Sequence, residues 1–126
     1  MAFLVWTLLV WSGRVRNAFA DATLDGSGRA GPLLLAAAFV VPALVLAGLT
    51  VGEWRRGSGP GSWSSRLLVA LVAWTVVVWV VRGADIAFAG DHDPAFVAVH
   101  LVLAVVSIGL GVLAVRGDRC SSRSSP

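Results

Sequence analysis

Two stretches of the chain, one between Arg29 and Glu53 and one between Asp93 and Arg116, contain no charged side chain. A helix needs about 20 apolar residues to cross ~30 Å of hydrocarbon, and each stretch is that long. Charged residues make up only 13% of the whole chain, against about 25% in soluble domains, and the mean hydropathy is +0.83. These features predict an all-α membrane protein.

Four transmembrane helices account for the apolar pattern, with predicted spans at about 2–20, 32–51, 67–88 and 94–115. The first and third spans hold shorter apolar runs, so we expect Arg14 and Arg16 of the first to extend toward the lipid headgroups and the third helix to continue past Arg82. Pro32 suits the first turn of the second helix, where no amide hydrogen is needed. Asp93 is a suitable N-cap for the fourth helix.

The predicted spans divide the chain into two helical hairpins, a connector and a tail. Residues 1–52 form the first hairpin, 53–66 a polar connector, 67–115 the second hairpin and 116–126 a disordered tail. With four spans, the termini and the connector share one side, which holds six arginines against four on the other. Positive charge favours the cytoplasmic side of a membrane. We therefore expect a multi-pass protein of the plasma membrane, with both termini and the connector in the cytoplasm.

A nine-residue segment of the chain occurs twice. WTLLVWSGR at 6–14 returns as WTVVVWVVR at 74–82, with Trp, Thr, Val, Trp and Arg at matching places. Each copy is followed by another apolar helix, which indicates a duplicated two-helix hairpin. Because each copy holds an even number of spans, both enter the membrane from the same side, and a pseudo-twofold axis along the membrane normal relates them. The predicted architecture is a four-helix bundle of two parallel-related hairpins.

The repeated segment places a tryptophan three residues before an arginine. Trp11 with Arg14, and Trp79 with Arg82, lie on one helical face and can form a cation–π contact at headgroup level. The alternative is an arginine pair that faces a shared cavity and binds an anionic lipid or solute. Arg82 is also three residues from Asp85, with which it can pair. Tryptophans predicted to anchor the chain at the membrane interface are Trp6, Trp11, Trp54, Trp63, Trp74 and Trp79.

The fourth span carries a packing seam of small residues. His100, Ala104, Ser107 and Gly111 recur at intervals of four, three and four residues, a spacing that lets helices approach closely. His100 has three interpretations: a hydrogen-bonded packing residue, a group that handles a proton or ligand, or a metal ligand. Further metal ligands are missing nearby, so no metal site is predicted. The candidate polar or ligand site comprises His100, Arg82, Asp85 and Arg14.

The segment AFVAVHLVLAVVSIGLG, which follows a tryptophan-containing helix, resembles a small, uncharacterised actinobacterial family of two-helix membrane proteins. The likeness covers about residues 67–117 and rests on Trp74, Trp79, Asp91, Phe96, His100, Ser107 and Gly111. The resemblance implies a membrane location and brings no known activity. The first half has no histidine to match His100, with Ala38 or a neighbour in its place. A symmetric role for this histidine in both halves is therefore not expected.

The sequence shows no arrangement typical of a catalytic site. It has no Ser, His and Asp set at recognisable spacing, and its glycine clusters lack the strand and lysine of a phosphate-binding loop. We therefore expect neither an enzyme nor a cofactor. The net charge of +3 comes from arginines at segment ends, which favours lipid headgroups over nucleic acid as their partners.

Three functional hypotheses follow. The first is a structural or accessory subunit or a lipid-interacting protein, whose partners are the bilayer and either a larger membrane protein or a second copy of itself. The alternative is a small dimeric transporter or channel that uses Arg14, Arg82 and His100 as its embedded polar groups. A third is a quinone or haem site built across a dimer around His100.

Overall fold

The computed structural model describes residues 1–21, 25–88 and 93–123, and in these ranges the chain forms four α-helices. They are α1 (Ala2–Ala20), α2 (Gly26–Arg55), α3 (Ser62–Phe88) and α4 (Pro94–Arg123). The all-helical fold class predicted from the sequence is thus confirmed.

Three of the helices, α2, α3 and α4, are long and apolar enough to cross a membrane. Among the described helices α1 falls short of that standard, although it has 19 residues. The reason is that Arg14, Arg16 and Asn17 lower the hydropathy of its last turns.

The start of α2 differs from the sequence prediction. The carboxylate of Asp25 accepts hydrogen bonds from the Gly28 amide at 2.6 Å and the Ser27 hydroxyl at 2.8 Å, so the helix begins at Gly26. Pro32, predicted in the first turn, therefore lies inside α2 together with Pro42. The prediction failed because an aspartate that satisfies the free amides of a helix start is a stronger signal than a proline further along.

The connector between α2 and α3 is shorter than predicted, because α2 continues to Arg55 and α3 begins at Ser62. Residues 56–61 remain between them, and Gly57 has a φ of 65°, a conformation that favours glycine. The Glu53 carboxylate accepts hydrogen bonds from the Gly61 amide at 3.0 Å and the Ser64 hydroxyl at 2.9 Å. These bonds fasten the end of α2 to the start of α3.

The predicted disordered tail is helical over most of its length. Helix α4 continues through Arg123, whereas the sequence analysis ended it near Val115. The polar residues from Arg116 onward include no proline before Pro126, and one glycine weakens a helix without ending it. Residues 124–126 lie outside the described part of the chain.

Each helix contacts two others: α1 and α3 both pack against α2 and against α4. Phe39 of α2 is fully buried at the centre, and the indole of Trp11 stacks on it with ring centroids 4.0 Å apart and planes 12° from parallel. Large side chains from α1 and α3 complete this core, among them Phe3, Leu4, Leu71, Val72 and Val78. The middle of the structure is therefore filled by side chains.

The caps of the second helix in each half are separated by the interval of the sequence repeat. Asp25 caps α2 and Asp93 caps α4, and each carboxylate accepts a hydrogen bond from an amide in the first turn of its helix. The two caps are 68 positions apart, as are the repeated nine-residue segments.

Burial follows the same interval. Phe3, Thr7 and Trp11 are buried in α1, and the residues 68 positions later, Leu71, Thr75 and Trp79, are buried in α3. Both threonine hydroxyls donate to the carbonyl four residues earlier, each at 2.8 Å. The correspondence continues into α2 and α4, where buried Phe39 and Ala43 match buried Ser107 and Gly111.

Candidate functional site

The structure joins Arg14 of α1 to His100 of α4. Arg14 Nη2 lies 2.8 Å from His100 Nε2, and His100 Nδ1 lies 2.8 Å from the carbonyl oxygen of Phe96. A guanidinium group only donates, so Nε2 must accept, and the ring proton then sits on Nδ1 and is donated to Phe96. His100 is therefore a neutral imidazole that uses both nitrogens, and it fixes the direction of the Arg14 side chain.

Arg82 of α3 forms the ion pair that its spacing predicted. Its Nη1 lies 3.1 Å from Asp85 Oδ2, and both side chains are about half exposed. Such a pair contributes little stability, because water screens the charges. Its main effect is to hold the Arg82 side chain along the helix.

Arg14 and Arg82 line one cavity of about 440 Å³. The cavity lies where α1 and α3 end and α2 begins, and the indoles of Trp11 and Trp79 form part of its wall. Asn17 also lines this cavity, and the sequence analysis missed it. The signal was available, because Asn17 is three residues beyond Arg14 and so shares its helical face.

The candidate polar site is thus partly assembled in the structure. Arg14 and Arg82 both line the cavity. His100 is hydrogen-bonded to Arg14 without lining the cavity, and Asp85 forms an ion pair with Arg82. The cavity also includes Asp21, which sequence reasoning did not single out.

The predicted packing seam of α4 faces the other helices at two of its residues. Ser107 is 5% exposed and accepts a hydrogen bond from the indole nitrogen of Trp6 at 2.9 Å. Gly111 approaches α3 so closely that a Cβ there would lie 3.0 Å from a methyl group of Val72. Ala104 is half-buried and lines a smaller cavity of about 220 Å³ together with His100.

Two of the six predicted interface tryptophans lie in the interior instead. Trp11 and Trp79 are only 8% and 7% exposed, and their ring contacts are with Phe39 and His100. The inward face of α1 and α3 carries these indoles, so they serve packing rather than anchoring. Of the others, Trp54, Trp63 and Trp74 are exposed and Trp6 is half-buried.

Metal ligands do not cluster in residues 1–21, 25–88 and 93–123, where no three His, Cys, Asp or Glu side chains could hold an ion together. Asp91, one of the residues behind the family resemblance, lies outside these ranges, as does His92.

The fold and the site define a small helical protein with three helices long and apolar enough to cross a membrane and an arginine-lined cavity at one end of its helices. The chain belongs to the SCO4848-like family, whose family model matches residues 61–125. That match covers α3 and α4, and it contains the segment whose resemblance to an uncharacterised family was noted in the sequence. No curated protein and no solved structure matches the chain.

Proposed function

We propose that the chain is a small integral membrane protein that crosses the bilayer four times as two duplicated hairpins and serves as a structural or accessory protein. The observation that carries this proposal is the interval of 68 residues, which relates the repeated segments, the caps of α2 and α4 and the buried positions of the two halves. At this interval α1 corresponds to α3 and α2 to α4. Since α3 and α4 are both apolar enough to cross a membrane, this correspondence supports a crossing by α1 as well as by α2.

The environment of Arg14 supports a membrane position for α1. At 1.5 Å per residue, its 19 residues extend about 28 Å, close to the thickness of the hydrocarbon. Arg14 bonds to His100 and lines a cavity instead of facing outward. A polar partner inside the protein lowers the cost of an arginine near the hydrocarbon.

The proposed topology has both termini and the connector in the cytoplasm of a plasma-membrane protein. Four crossings place them on one side, and the six arginines there against four on the other side support the orientation. The two hairpins then enter from the same side, related by a pseudo-twofold axis along the membrane normal.

A non-catalytic role, in contact with lipid or with a membrane partner, agrees best with the packing. A second cavity of about 350 Å³, lined by Thr50, Ser64 and Asp118 among others, lies at the other end of the helices and shares no lining residue with the arginine-lined cavity. Phe39 and Leu46 of α2 are fully buried, which supports a packed interior in the described part of the chain. The outer face of α4 exposes Val99, Leu101 and Val105, which suits lipid chains or another apolar helix.

The topology is tested with the single cysteine of the chain, Cys120, which is exposed. A membrane-impermeant maleimide should label it in permeabilised cells and not in intact cells. A Ser27→Cys, Cys120→Ser variant should show the opposite pattern, since exposed Ser27 lies in the first turn of α2, at the other end of that helix from the connector. Labelling of Cys120 in intact cells would place the termini outside and overturn the orientation.

The accessory role is tested by purification in a mild detergent. A partner or a second copy should co-purify with the wild-type chain and should be lost when Val99, Leu101 and Val105 on the outer face of α4 are changed to serine. Recovery of a lone monomer under every condition contradicts an accessory role.

The second candidate is a small dimeric transporter or channel, and the clustering of Arg14, Arg82 and His100 favours it. In proteoliposomes, flux of an anion by the wild-type chain should then be abolished in an Arg14→Gln, Arg82→Gln, His100→Ala variant. Equal flux from wild type and variant, or none from either, rules out this mechanism.

A further inference from the structure

We propose that the cavity between Arg14 and Arg82 is a binding site for one phosphate-bearing anion, of the kind carried by anionic lipid headgroups. This inference rests on the proposed membrane location of the chain and adds a ligand to it. The starting observation is that two helices in different halves direct their arginines into a single cavity.

Two cations that share a cavity repel each other. The charge of Arg82 acts on the half-buried guanidinium of Arg14, which has lost part of its water. An anion bound between them converts this repulsion into two attractions. Asp85 forms an ion pair with Arg82, and Asp21 lines the cavity and accepts a hydrogen bond from Arg29 at its carbonyl, so three arginines lie near these two carboxylates.

Arg29 supplies a further positive charge close to this end of the helices. Its Nη2 donates to the carbonyl of Asp21 at 3.1 Å, while its Nε is buried without a hydrogen-bond partner among the described residues. A buried donor that lacks an acceptor is costly, so this end of the helices is rich in positive charge and short of acceptors.

The chemistry of the donors selects phosphate. The guanidinium group has five N–H donors in a planar fork, and Arg14 directs one nitrogen to His100. The remaining donors can engage two oxygens of one tetrahedral anion, as arginine does with phosphate more readily than lysine. The indoles of Trp11 and Trp79, with Leu35 and Val78, provide apolar wall for the hydrocarbon part of a headgroup's lipid.

His100 acts here as a positioning residue. It accepts a hydrogen bond from the Arg14 guanidinium, although it does not line the cavity itself. At the interval of 68 the counterpart of His100 is Pro32, and not Ala38 or a neighbour as the sequence suggested; Pro32 lines the cavity and offers no such acceptor. Arg14 is thus held by an imidazole and Arg82 by a carboxylate, and because both line one cavity we expect one anion per chain.

The test measures binding to the full-length protein in a zwitterionic phosphatidylcholine nanodisc. Phosphatidylglycerol in the disc is the first probe and inorganic phosphate in the buffer is the second, so the arms separate a lipid source from a free anion. The readouts are bound lipid per chain by native mass spectrometry and the quenching of tryptophan fluorescence. We expect saturable binding of one anion per chain, weakened at least tenfold by Arg14→Gln with Arg82→Gln.

Arg16→Gln is the matched control, because Arg16 lies two residues from Arg14 on the exposed side of α1 and does not line the cavity. It removes the same charge and should leave binding within about twofold. Arg82→Gln alone, at a half-exposed side chain, keeps the test valid if the double variant fails to fold. Helix content by circular dichroism identifies that failure.

Binding of either probe that depends on Arg14 and Arg82 supports the site, and the probe that binds identifies its source. The proposal is overturned if neither probe binds, if Arg82→Gln binds like wild type, or if Arg16→Gln loses as much affinity as the cavity variants. Such a failure would leave the topology experiment with Cys120 unaffected, so the two proposals can be judged separately.

Discussion

Among the described residues, two side-chain hydrogen bonds connect α1 to α4, and both join residues far apart in the sequence. Trp6 donates its indole hydrogen to Ser107, and Arg14 donates to His100. Where water is scarce, a donor that loses its acceptor keeps the full cost of burial. These two bonds therefore fix the rotation of α4 relative to α1.

Replacing Ser107 with alanine should leave the Trp6 indole without an acceptor. We expect a loss of about 0.5–2 kcal/mol in the free energy of unfolding, the range for a buried hydrogen bond in water or membrane. Titration with a denaturing detergent measures it. In a double-mutant cycle with Trp6→Phe, the losses in unfolding free energy of the two single variants should add up to more than the loss measured for the double variant. Strict additivity would mean that the bond contributes nothing.

The cap of α2 predicts a dependence on pH. The Gly28 amide and the Ser27 hydroxyl hydrogen-bond to Asp25 and lower the pKa of its carboxyl. Its folded pKa thus lies below the ordinary value of about 3.9. The contribution to stability is present above that value and is lost as the pH falls through the folded pKa. Asp25→Ala should lower the unfolding temperature at neutral pH, and this difference should vanish in strong acid.

Asp25→Asn is the control for the cap, because asparagine caps a helix about as well and does not titrate. Its unfolding temperature should match wild type at neutral pH and exceed it in strong acid. Circular dichroism in detergent micelles measures all three proteins. A deficit of Asp25→Ala that is equally large at every pH would contradict the role of the ionised carboxylate.

Side-chain contacts could be predicted from the sequence only between residues close together on the same helix. Arg82 and Asp85 are three apart on one helix, so their pairing follows from helical geometry alone. Arg14 and His100 are 86 positions apart, and no local pattern specifies that α1 and α4 become neighbours. The inward direction of Trp11 and Trp79 was missed for the same reason, since it depends on where the neighbouring helices lie.

At the level of helices, the contact of α4 with α3 depends on the missing side chain of Gly111. A Cβ would lie 3.0 and 3.2 Å from the two methyl groups of Val72, and this β-branched residue is buried and restricted in χ1. We expect Gly111→Ala to lower the free energy of unfolding by about 1–3 kcal/mol through overpacking. Detergent titration of unfolding again provides the measurement.

Gly109 provides the comparison on the same helix. A Cβ there meets nothing within 4 Å, so Gly109→Ala should leave stability unchanged or raise it by up to ~1 kcal/mol through helix propensity. Val72→Ala should relieve part of the cost when combined with Gly111→Ala. Equal stabilisation by both glycine substitutions would show that α4 does not need close approach at Gly111.

Helices were easier to predict than their ends. Apolar runs marked every helix, because burial and membrane insertion both depend on hydropathy summed over many residues. The ends depend on a few local bonds. The cap at Asp25 starts α2 earlier than predicted, and α4 extends beyond its predicted end because no stop signal follows Arg116. The cap at Asp93 was predicted correctly, since its carboxylate accepts from the Ala95 amide at 2.9 Å.

For the whole molecule, the contacts between the two halves should survive loss of the connector. A protease recognition sequence inserted between Ser58 and Gly59, in the segment between α2 and α3, allows the folded chain to be cut. Both fragments should then elute together on gel filtration in mild detergent, held by the shared core and the bonds between α1 and α4. Separate elution would show that the covalent link holds the halves together.

The repeat in the sequence predicted two related halves, and the caps at Asp25 and Asp93 lie at the same interval of 68 residues. Which helices become neighbours was beyond the sequence, because four apolar helices can be arranged in several orders with similar burial. The cavity between the arginines depends on that order, so its existence was an open alternative until the packing was known.

The difference between Pro32 and His100 gives the molecule two unequal sides. At related places in the two halves, one side presents an imidazole that accepts a hydrogen bond, and the other presents a ring with neither donor nor acceptor. A ligand that enters the cavity therefore meets a proline ring on the α2 side, while beside α4 the imidazole lies against Arg14 with both of its nitrogens already bonded. The two arginines are accordingly not interchangeable, although the sequence repeat relates their positions.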